Sequence, residues 1–192
     1  WDTLDVSYFM RHEAADIAWH TRHLSRHVGA SQPQVRARRS LAGEGLQVMV
    51  YAPDQPDLFA RICGYFDKAG FSILDARVHT ANNGFALDTF QVVAPAMQEQ
   101  YRELMHLVES GLTQALLQGG PLPTPVQRRV SRRVKSFPYA PRVLLRPDDK
   151  AQQWLLSISA TDPAGLLYTI ARVLASHGLS VHLAKISTLG GR

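Results

Sequence analysis

Two short turns contain residue types that could bind a free amino acid. The turns read Asp54-Gln55-Pro56-Asp57-Leu58 and Asp162-Pro163-Ala164-Gly165-Leu166. A helical pattern of apolar residues follows each turn, and the N-terminus of a helix offers free backbone N–H groups and a positive dipole end to a carboxylate. An aspartate that does not cap the helix could accept a hydrogen bond from the ligand's ammonium group. The pattern predicts two ligand turns, with simple N-capping by Asp54 and Asp162 as the alternative.

The sequence favours the second turn over the first. Gly165 would let a ligand approach the backbone closely. In the first turn Asp57 stands at the equivalent place, where it adds bulk and puts a negative charge beside the expected ligand carboxylate. Like charges in a partly buried site repel more strongly than they do in water.

The elements that position the turns recur along the chain. A shift of 108 residues aligns residues 52–80 with residues 160–188 without a gap, and eight of the aligned positions are identical. Identities fall at caps and turns, such as Gly70 with Gly178, while core positions are replaced by similar residues. This repetition predicts a duplicated domain.

Apolar periodicity and turn residues predict the elements of each unit. The predicted segments are a helix at 8–28, a connector at 34–45, a strand at 46–51, a helix from Leu58 that Gly70 ends, a strand at 71–80, a turn at 82–84, a strand at 85–93, a helix at 97–117, and strands at 142–146 and 154–159. A change of parity near Leu74 and Asp75 predicts a β-bulge.

This order predicts an α+β fold of the ferredoxin-like βαββαβ type. We expect an N-terminal helix and linker over 1–45, a first domain with its basic linker over 46–147, and a second unit, βαβ only, over 148–192. The second unit is therefore expected to be cut short. Because the chain begins with Trp1 rather than Met, we expect it to be a piece of a longer polypeptide.

The composition excludes several classes of protein. Hydrophobic residues make up 45% and charged residues 19% of the 192 residues, as in an ordinary folded domain. Cys63 is the single cysteine, which excludes an internal disulfide framework and predicts a reducing cytoplasm. No apolar run approaches the ~18 residues of a membrane span.

A basic block, defined as residues 121–146, holds six arginines and one lysine and no acid. Such a block could bind a polyanion such as nucleic acid, and steep salt dependence would be the sign of it. The alternative is a solvated linker, which the scarcity of aromatic neighbours favours.

Few other residues have catalytic or ligating patterns. His20, His23 and His27 share one face of the predicted helix, a spacing that suits Zn²⁺ or Ni²⁺, with a polar helix face as the alternative. Cys63 is predicted to pack in the core. Ser157 and Ser159 have no sign of an activating base, so no nucleophile is predicted.

Each unit resembles the ACT domain, whose usual first turn reads Asp-x-Pro-Gly-Leu. The second turn has its proline one place early, and the first has Asp57 where glycine is usual. The tandem units, the linker at 128–138 and the segments at 8–13 and 17–21 together resemble the C-terminal region of the bacterial bifunctional PII uridylyltransferase and uridylyl-removing enzyme family.

The resemblance implies a nitrogen sensor. Enzymes of that family attach UMP to the PII signal protein when glutamine is scarce and remove it when glutamine is plentiful, in chemistry that needs a divalent metal such as Mg²⁺. Their catalytic motifs are missing from this sequence, so neither a catalytic residue nor a cofactor is expected in the chain itself. The expected partners are glutamine or another small amino acid, PII through the parent enzyme, and a second copy through the ACT sheets. The alternatives are a regulatory tail of another enzyme that senses a different amino acid and a basic nucleic-acid-binding module.

Overall fold

An antiparallel sheet with helices on both faces forms the centre of the fold, which a computed structural model describes over residues 3–41, 43–94, 101–126, 140–148, 153–161 and 165–187. The helices are α1 (Val6–Arg11), α2 (Ala14–Leu24), α3 (Leu58–Ala69), α4 (Tyr101–Gln118) and α5 (Leu166–Ser176). The strands are β1 (Gln34–Arg39), β2 (Leu46–Pro53), β3 (Ser72–His79), β4 (Phe85–Val93), β5 (Arg142–Asp148), β6 (Gln153–Ser159) and β7 (Leu183–Ser187).

The five-stranded sheet has the order β1-β2-β4-β3-β7, and β5 and β6 form a separate two-stranded sheet. All the strand pairs are antiparallel. This confirms the α+β class and an arrangement compatible with ferredoxin-like ACT units.

Several local predictions are confirmed. Leu58, Ile62 and Phe66 are buried on one side of α3, as their helical spacing requires. Gly70 ends that helix with φ +87°, a left-handed conformation that favours glycine. The register of β3 on β4 shifts between Ile73 and Asp75, which is the predicted bulge.

The prediction of a connector at 34–45 is wrong, because β1 lies there. Val35 is buried and Ala37 packs against the same core, so the strand alternates apolar residues with arginines. Paired with β2, β1 occupies the sheet position that residues 142–146 were expected to fill. Those residues form β5, which pairs with β6 instead. The arginines at alternate positions made this half-buried edge strand look like a polar connector in the sequence.

The repeat therefore begins earlier than the sequence alignment indicated. β1 pairs Gln34 with Tyr51, and β5 pairs Arg142 with Ser159. Both residues of the second pair lie 108 positions after those of the first, so the two strand pairs have the same register. Each unit starts with two strands, and the order of the first unit is ββαββα.

The predicted helix at 8–28 is two helices, so this prediction is also wrong. Asp5 caps α1 through its Oδ1, which accepts a hydrogen bond of 2.8 Å from the Ser7 N–H. His12 then adopts an extended backbone, and Glu13 is the N-cap residue of α2. The break turns the chain so that both helices can lie on the sheet.

The two faces of the sheet have separate cores, as the alternation of side chains along a strand requires. One core includes Val48, Val50 and Phe90 and is covered by α3 and α4. The other includes Met49 and Leu87 and is covered by α1 and α2. The N-terminal helices thus close the face that a ferredoxin-like sheet leaves uncovered.

The two units meet about a pseudo-twofold axis. In the pairing of β3 with β7, Arg77 lies opposite Lys185, and Ala76 lies opposite Ile186. Arg77 and Lys185 hold equivalent positions in the repeat, so the axis passes between them. The equivalent helices α3 and α5 also pack against each other. The sheet of the first unit therefore continues into the second.

Candidate functional site

In the first turn Asp54 is used differently from the prediction. Its Oδ2 accepts a hydrogen bond of 3.0 Å from the Thr80 hydroxyl, and its backbone N–H donates to Gly84. The residue at the N-cap position of α3 is Asp57, whose side chain makes no capping hydrogen bond. Asp54 thus links the turn to the end of β3, and the alternative interpretation, in which Asp54 caps the helix, is wrong.

The charge of Asp57 is already compensated. A carboxylate oxygen of Asp57 lies 2.6 Å from an Arg61 guanidinium nitrogen, one turn along α3. The side chains of Gln55 and Pro56 are exposed, whereas Leu58 is buried beneath the turn. The first turn therefore presents an internal ion pair and two exposed side chains to solvent.

In the second turn Gly165 and Leu166 are described, while Asp162, Pro163 and Ala164 lie outside the described residues. Gly165 has φ +83° and is the N-cap residue of α5. A Cβ at this position would lie 3.0 Å from Oδ1 of Asp67. The Asp67 carboxyl group of the first unit therefore approaches the backbone so closely that only glycine fits at this position.

The candidate turns are at opposite ends of the pair formed by α3 and α5. Gly165 lies against Asp67 near the end of α3, and Tyr168 lies against Gly64 one turn earlier, so the helices run antiparallel. The first turn is at the start of α3, roughly 15 Å away along a helix of this length. The structure thus connects the second turn, and not the first, to the end of α3.

Tyr168 anchors this junction, and the sequence did not single it out. It is buried against α3, and a Cβ on Gly64 would lie 2.8 Å from its ring. Its hydroxyl donates a hydrogen bond to the Pro123 carbonyl oxygen. Asp67 accepts another bond, of 2.9 Å, from the Val126 N–H. The segment after α4 is therefore fastened to the junction between the units at two points.

Asp88 is a second residue that sequence reasoning missed. It is 1% exposed, and its Oδ1 accepts a hydrogen bond of 3.2 Å from the His79 N–H. Burial, with a smaller contribution from the charge of Asp54, raises the pKa of Asp88 to about 8. The sequence did contain a signal for Asp88. In the alternation of inward and outward side chains along β4, a carboxyl group occupies a position where the core needs an apolar side chain.

On the opposite face Asp16 of α2 joins three strands of the sheet. Its carboxylate lies 2.5 Å from Arg38 of β1 and accepts a hydrogen bond of 2.9 Å from Gln47 of β2. It also lies 3.6 Å from Arg77 of β3. The Asp16 side chain is only 10% exposed, so these charge pairs are shielded from solvent.

Next to Asp16 lies a buried group of rings. The Tyr8 hydroxyl is 2.6 Å from Nδ1 of His20, and the Nε2 atoms of His12 and His20 each lie 3.4 Å from the Thr89 hydroxyl. Burial lowers the pKa of His20 to about 3 and also lowers the pKa of His12. Both imidazoles are therefore neutral at neutral pH.

The predicted histidine face is divided by this packing. His20 is fully buried against Tyr8, while Nδ1 of His27 lies 3.1 Å from the backbone oxygen of His23. The structure thus gives these three residues no shared ligand position, because His20 is buried while His23 and His27 are partly exposed. Across the described ranges, no group of three histidine, cysteine or acidic side chains could hold a metal ion.

Cys63 is 1% exposed, and burial raises the pKa of its thiol, which confirms its prediction as a packing residue. Of the basic block, Arg142 and Arg146 lie on the exposed strand β5, and the other cations lie outside the described residues. No helix within the described ranges is long and apolar enough to cross a membrane.

Comparison with known proteins gives one consistent description. A family model described as the fifth domain of the uridylyltransferase GlnD matches residues 1–23. Bifunctional uridylyltransferase/uridylyl-removing enzymes of Cupriavidus metallidurans, Cupriavidus pinatubonensis and Ralstonia nicotianae are 57%, 56% and 55% identical to the whole of this chain. The chain spans 22–23% of the length of these relatives. No solved structure matches.

Proposed function

Since the whole chain is homologous to a segment of the bifunctional uridylyltransferase/uridylyl-removing enzymes, it belongs to that family, and we propose that it is their glutamine-sensing regulatory region. The observation that supports this most is the pairing of two equivalent units through β3 with β7 and α3 with α5. Paired units of this kind can change their relative stability when a ligand binds at their junction.

The second turn is the proposed binding position. Its backbone N–H groups would bind the carboxylate of the amino acid, and Asp162 would accept a hydrogen bond from the ammonium group. Gly165 contacts Asp67 in the first unit. A ligand bound at the second turn would therefore bias the contact between the units, which is the physical requirement for coupling to a distant activity.

The wider roles belong to the proposal as well. The partners are PII, through the parent enzyme, and a second copy of the chain through its sheets, and the compartment is the cytoplasm. Mg²⁺ would serve the catalytic part of the parent enzyme. Neither uridylyl transfer nor uridylyl removal is assigned to this chain alone.

Titration calorimetry with glutamine and a panel of other amino acids tests the proposal. The variant Asp162→Asn should weaken glutamine binding by at least ~10-fold, the equivalent of one charged hydrogen bond. The matched variant Asp54→Asn should change the affinity little, because the Asp54 carboxylate accepts from Thr80. Undiminished binding by Asp162→Asn would remove the second turn from consideration.

Binding experiments on the same protein also test the two alternative functions. Tight binding of a different amino acid would make the chain a sensor of that molecule. Binding to DNA or RNA that weakens steeply with salt would favour the basic block as a nucleic-acid interface.

A further inference from the structure

A closed cycle of hydrogen bonds attaches α1 and α2 to the sheet of the first unit. The Tyr8 hydroxyl lies 2.6 Å from Nδ1 of His20, and Nε2 of His20 lies 3.4 Å from the Thr89 hydroxyl. The same hydroxyl lies 3.4 Å from Nε2 of His12, whose Nδ1 lies 3.0 Å from the Tyr8 carbonyl oxygen. The four residues come from both helices, the break between them and β4, and all four are buried.

One atom fixes the position of every proton in this cycle. A carbonyl oxygen can only accept, so Nδ1 of His12 carries the proton and Nε2 of the neutral imidazole accepts. Thr89 must then donate its hydroxyl proton to His12, and Nε2–H of His20 donates to the Thr89 oxygen. Nδ1 of His20 is left to accept from the Tyr8 hydroxyl. The two neutral imidazoles are therefore opposite tautomers.

An added proton would break the cycle. A proton on Nε2 of His12 would face the proton that Thr89 donates, and a proton on Nδ1 of His20 would face the proton of the Tyr8 hydroxyl. Either hydroxyl would have to turn away and give up the bond that it donates. Because the site is buried, the lost bond and the new charge are both costly.

The charges around the cycle do not stabilise a cation within it. Asp16 of α2 is already paired with Arg38 of β1 at 2.5 Å and lies 3.6 Å from Arg77 of β3. Burial is the largest cause of the low pKa of His20, and His12 lowers that pKa further. The attraction of Asp16 is opposed by the two arginines.

His79 of β3 lies beside the cycle, with its imidazole centroid 5.6 Å from that of the Tyr8 ring. Its Nε2 is buried and has no hydrogen-bond partner among the described residues. Burial lowers the pKa of His79, while Asp5 and Arg11 act on it in opposite directions. Protonation of this third imidazole is therefore also unfavourable while the helices cover it.

We propose that the cycle makes the attachment of α1 and α2 pH-sensitive: protonation of its imidazoles releases the two helices from the sheet, while the core on the other face stays folded. The separate cores allow this, because segments with few buried apolar contacts open locally. The core beneath α1 and α2 is far smaller than the core beneath α3 and α4. Its buried residues are Tyr8, Leu24, Met49, Tyr51 and Leu87. The release needs no ligand, so it is independent of the proposed function.

Nitrogen NMR of the imidazoles tests the cycle in the unmodified protein. At pH 7 we expect His12 to be protonated on Nδ1 and His20 on Nε2, because only this pair of tautomers gives every bond a donor and an acceptor. A His12 imidazole protonated on Nε2 would overturn the proposal without the need for any variant.

Hydrogen exchange of backbone amides tests the release. The amides of α2 should be less protected than those of α3, because they exchange through local opening. Between pH 7 and pH 5 the opening constant should rise by about 25-fold for each histidine that is neutral when covered and has a pKa near 6.5 when released. His12 and His20 together should therefore lower the protection of α2 by at least ~100-fold, after correction for the intrinsic exchange rate.

Two results would contradict the release. Equal protection of α2 and α3 at both pH values would mean that the helices open only when the whole protein unfolds. Protection of α2 that does not change with pH would mean that protonation does not drive the opening.

A substitution identifies the groups responsible. His12→Asn keeps an N–H donor for the Tyr8 carbonyl oxygen but cannot be protonated, so its loss of α2 protection between pH 7 and pH 5 should be about 25-fold smaller than in the wild type. His106→Gln is the matched control, because His106 is exposed on α4, and its loss should equal that of the wild type. An undiminished loss in His12→Asn would remove His12 from the proposal and so overturn it.

Discussion

Arg77 and Lys185 lie directly opposite each other across β3 and β7, at equivalent positions of the two units. Like charges in directly opposed positions of an antiparallel pair are destabilising. Arg77 is compensated on its own side, since its Nε lies 3.3 Å from Asp75 and its guanidinium 3.6 Å from Asp16. The pseudo-twofold axis thus passes between two cations. Acidic residues of the first unit compensate the charge of Arg77 and so reduce the repulsion between the two.

Replacing Lys185 should therefore strengthen the contact between units. We expect Lys185→Glu to stabilise the protein by ~0.2–1 kcal/mol, because an opposed pair of like charge becomes a pair of opposite charge. Lys185→Gln removes the charge without reversing it, so its stability should lie between that of the wild type and that of Lys185→Glu. Thermal unfolding at low salt measures the effect, and a destabilised Lys185→Glu variant would contradict the observed register.

Asp16 is expected to be the most sensitive acidic residue on the helix-covered face. Asp16→Asn should destabilise the protein by about 2–3 kcal/mol, because the shielded guanidinium of Arg38 would lose its charged partner. Asp57→Asn is the matched control, since the Asp57 side chain is 30% exposed against 10% for Asp16 and its i,i+4 pair with Arg61 should contribute about 0.3–0.5 kcal/mol. Urea unfolding of both variants makes the comparison, and equal losses would contradict the role of Asp16.

The buried histidines should make the protein sensitive to acid. The pKa of His20 is lowered from 6.5 to about 3 by burial, so the unfolded chain binds this proton more readily than the folded protein. The contribution of His20 to stability is complete above pH 6.5 and is lost at up to about 1.4 kcal/mol per pH unit as the pH falls toward 3. His12 and His79, whose pKa values are also lowered by burial, act in the same direction.

The free energy of unfolding at pH 7 and pH 5 checks this expectation. His20→Asn should be less stable at pH 7, because the contact with Tyr8 is weakened. It should nevertheless lose less stability between the two pH values than the wild type does. A pH dependence unchanged by the substitution would show that His20 is not the group responsible.

Asp88 should have the opposite pH dependence. Its pKa is raised from 3.8 to about 8, so the folded protein binds its proton while the unfolded chain releases it at neutral pH. Stability from this residue is therefore greatest below pH 4 and decreases as the pH rises toward 8. Asp88→Asn, which keeps an acceptor for the His79 N–H, should stabilise the protein by roughly 4 kcal/mol at pH 7. The gain should disappear at pH 4, and an equal gain at both pH values would contradict the assignment.

Gly165→Asp should be destabilising whether or not a ligand is present. The substituted residue would have to adopt φ +83° and would place its carboxylate beside that of Asp67. Gly84→Asp is the matched control, because Gly84 has φ +77° and a Cβ there would meet nothing within 4 Å. We expect the control to lose about 1 kcal/mol and Gly165→Asp to lose at least ~2 kcal/mol in thermal unfolding. Similar losses would mean that Asp67 does not restrict the second turn.

The sequence alone determined the elements whose signals are local. The apolar spacing along α3, the left-handed glycine at its end, the bulge in β3 and the 108-residue repeat each depend on neighbouring residues or on internal comparison. It also supplied the resemblance to the bifunctional enzyme family, which the comparisons bear out. These features can be recognised in the sequence because caps, turns and core positions restrict which residue types can occupy them.

Only the tertiary structure decided what each polar residue is used for. Asp54 binds Thr80 rather than capping α3, Gly165 admits Asp67, and Asp16 joins a helix to three strands. Each of these contacts joins residues that are far apart in the sequence. The spacing of neighbouring residues therefore cannot predict them. β1 was missed for the same reason, because its arginines indicate a connector until β2 and α4 supply the surfaces that bury the apolar residues between them.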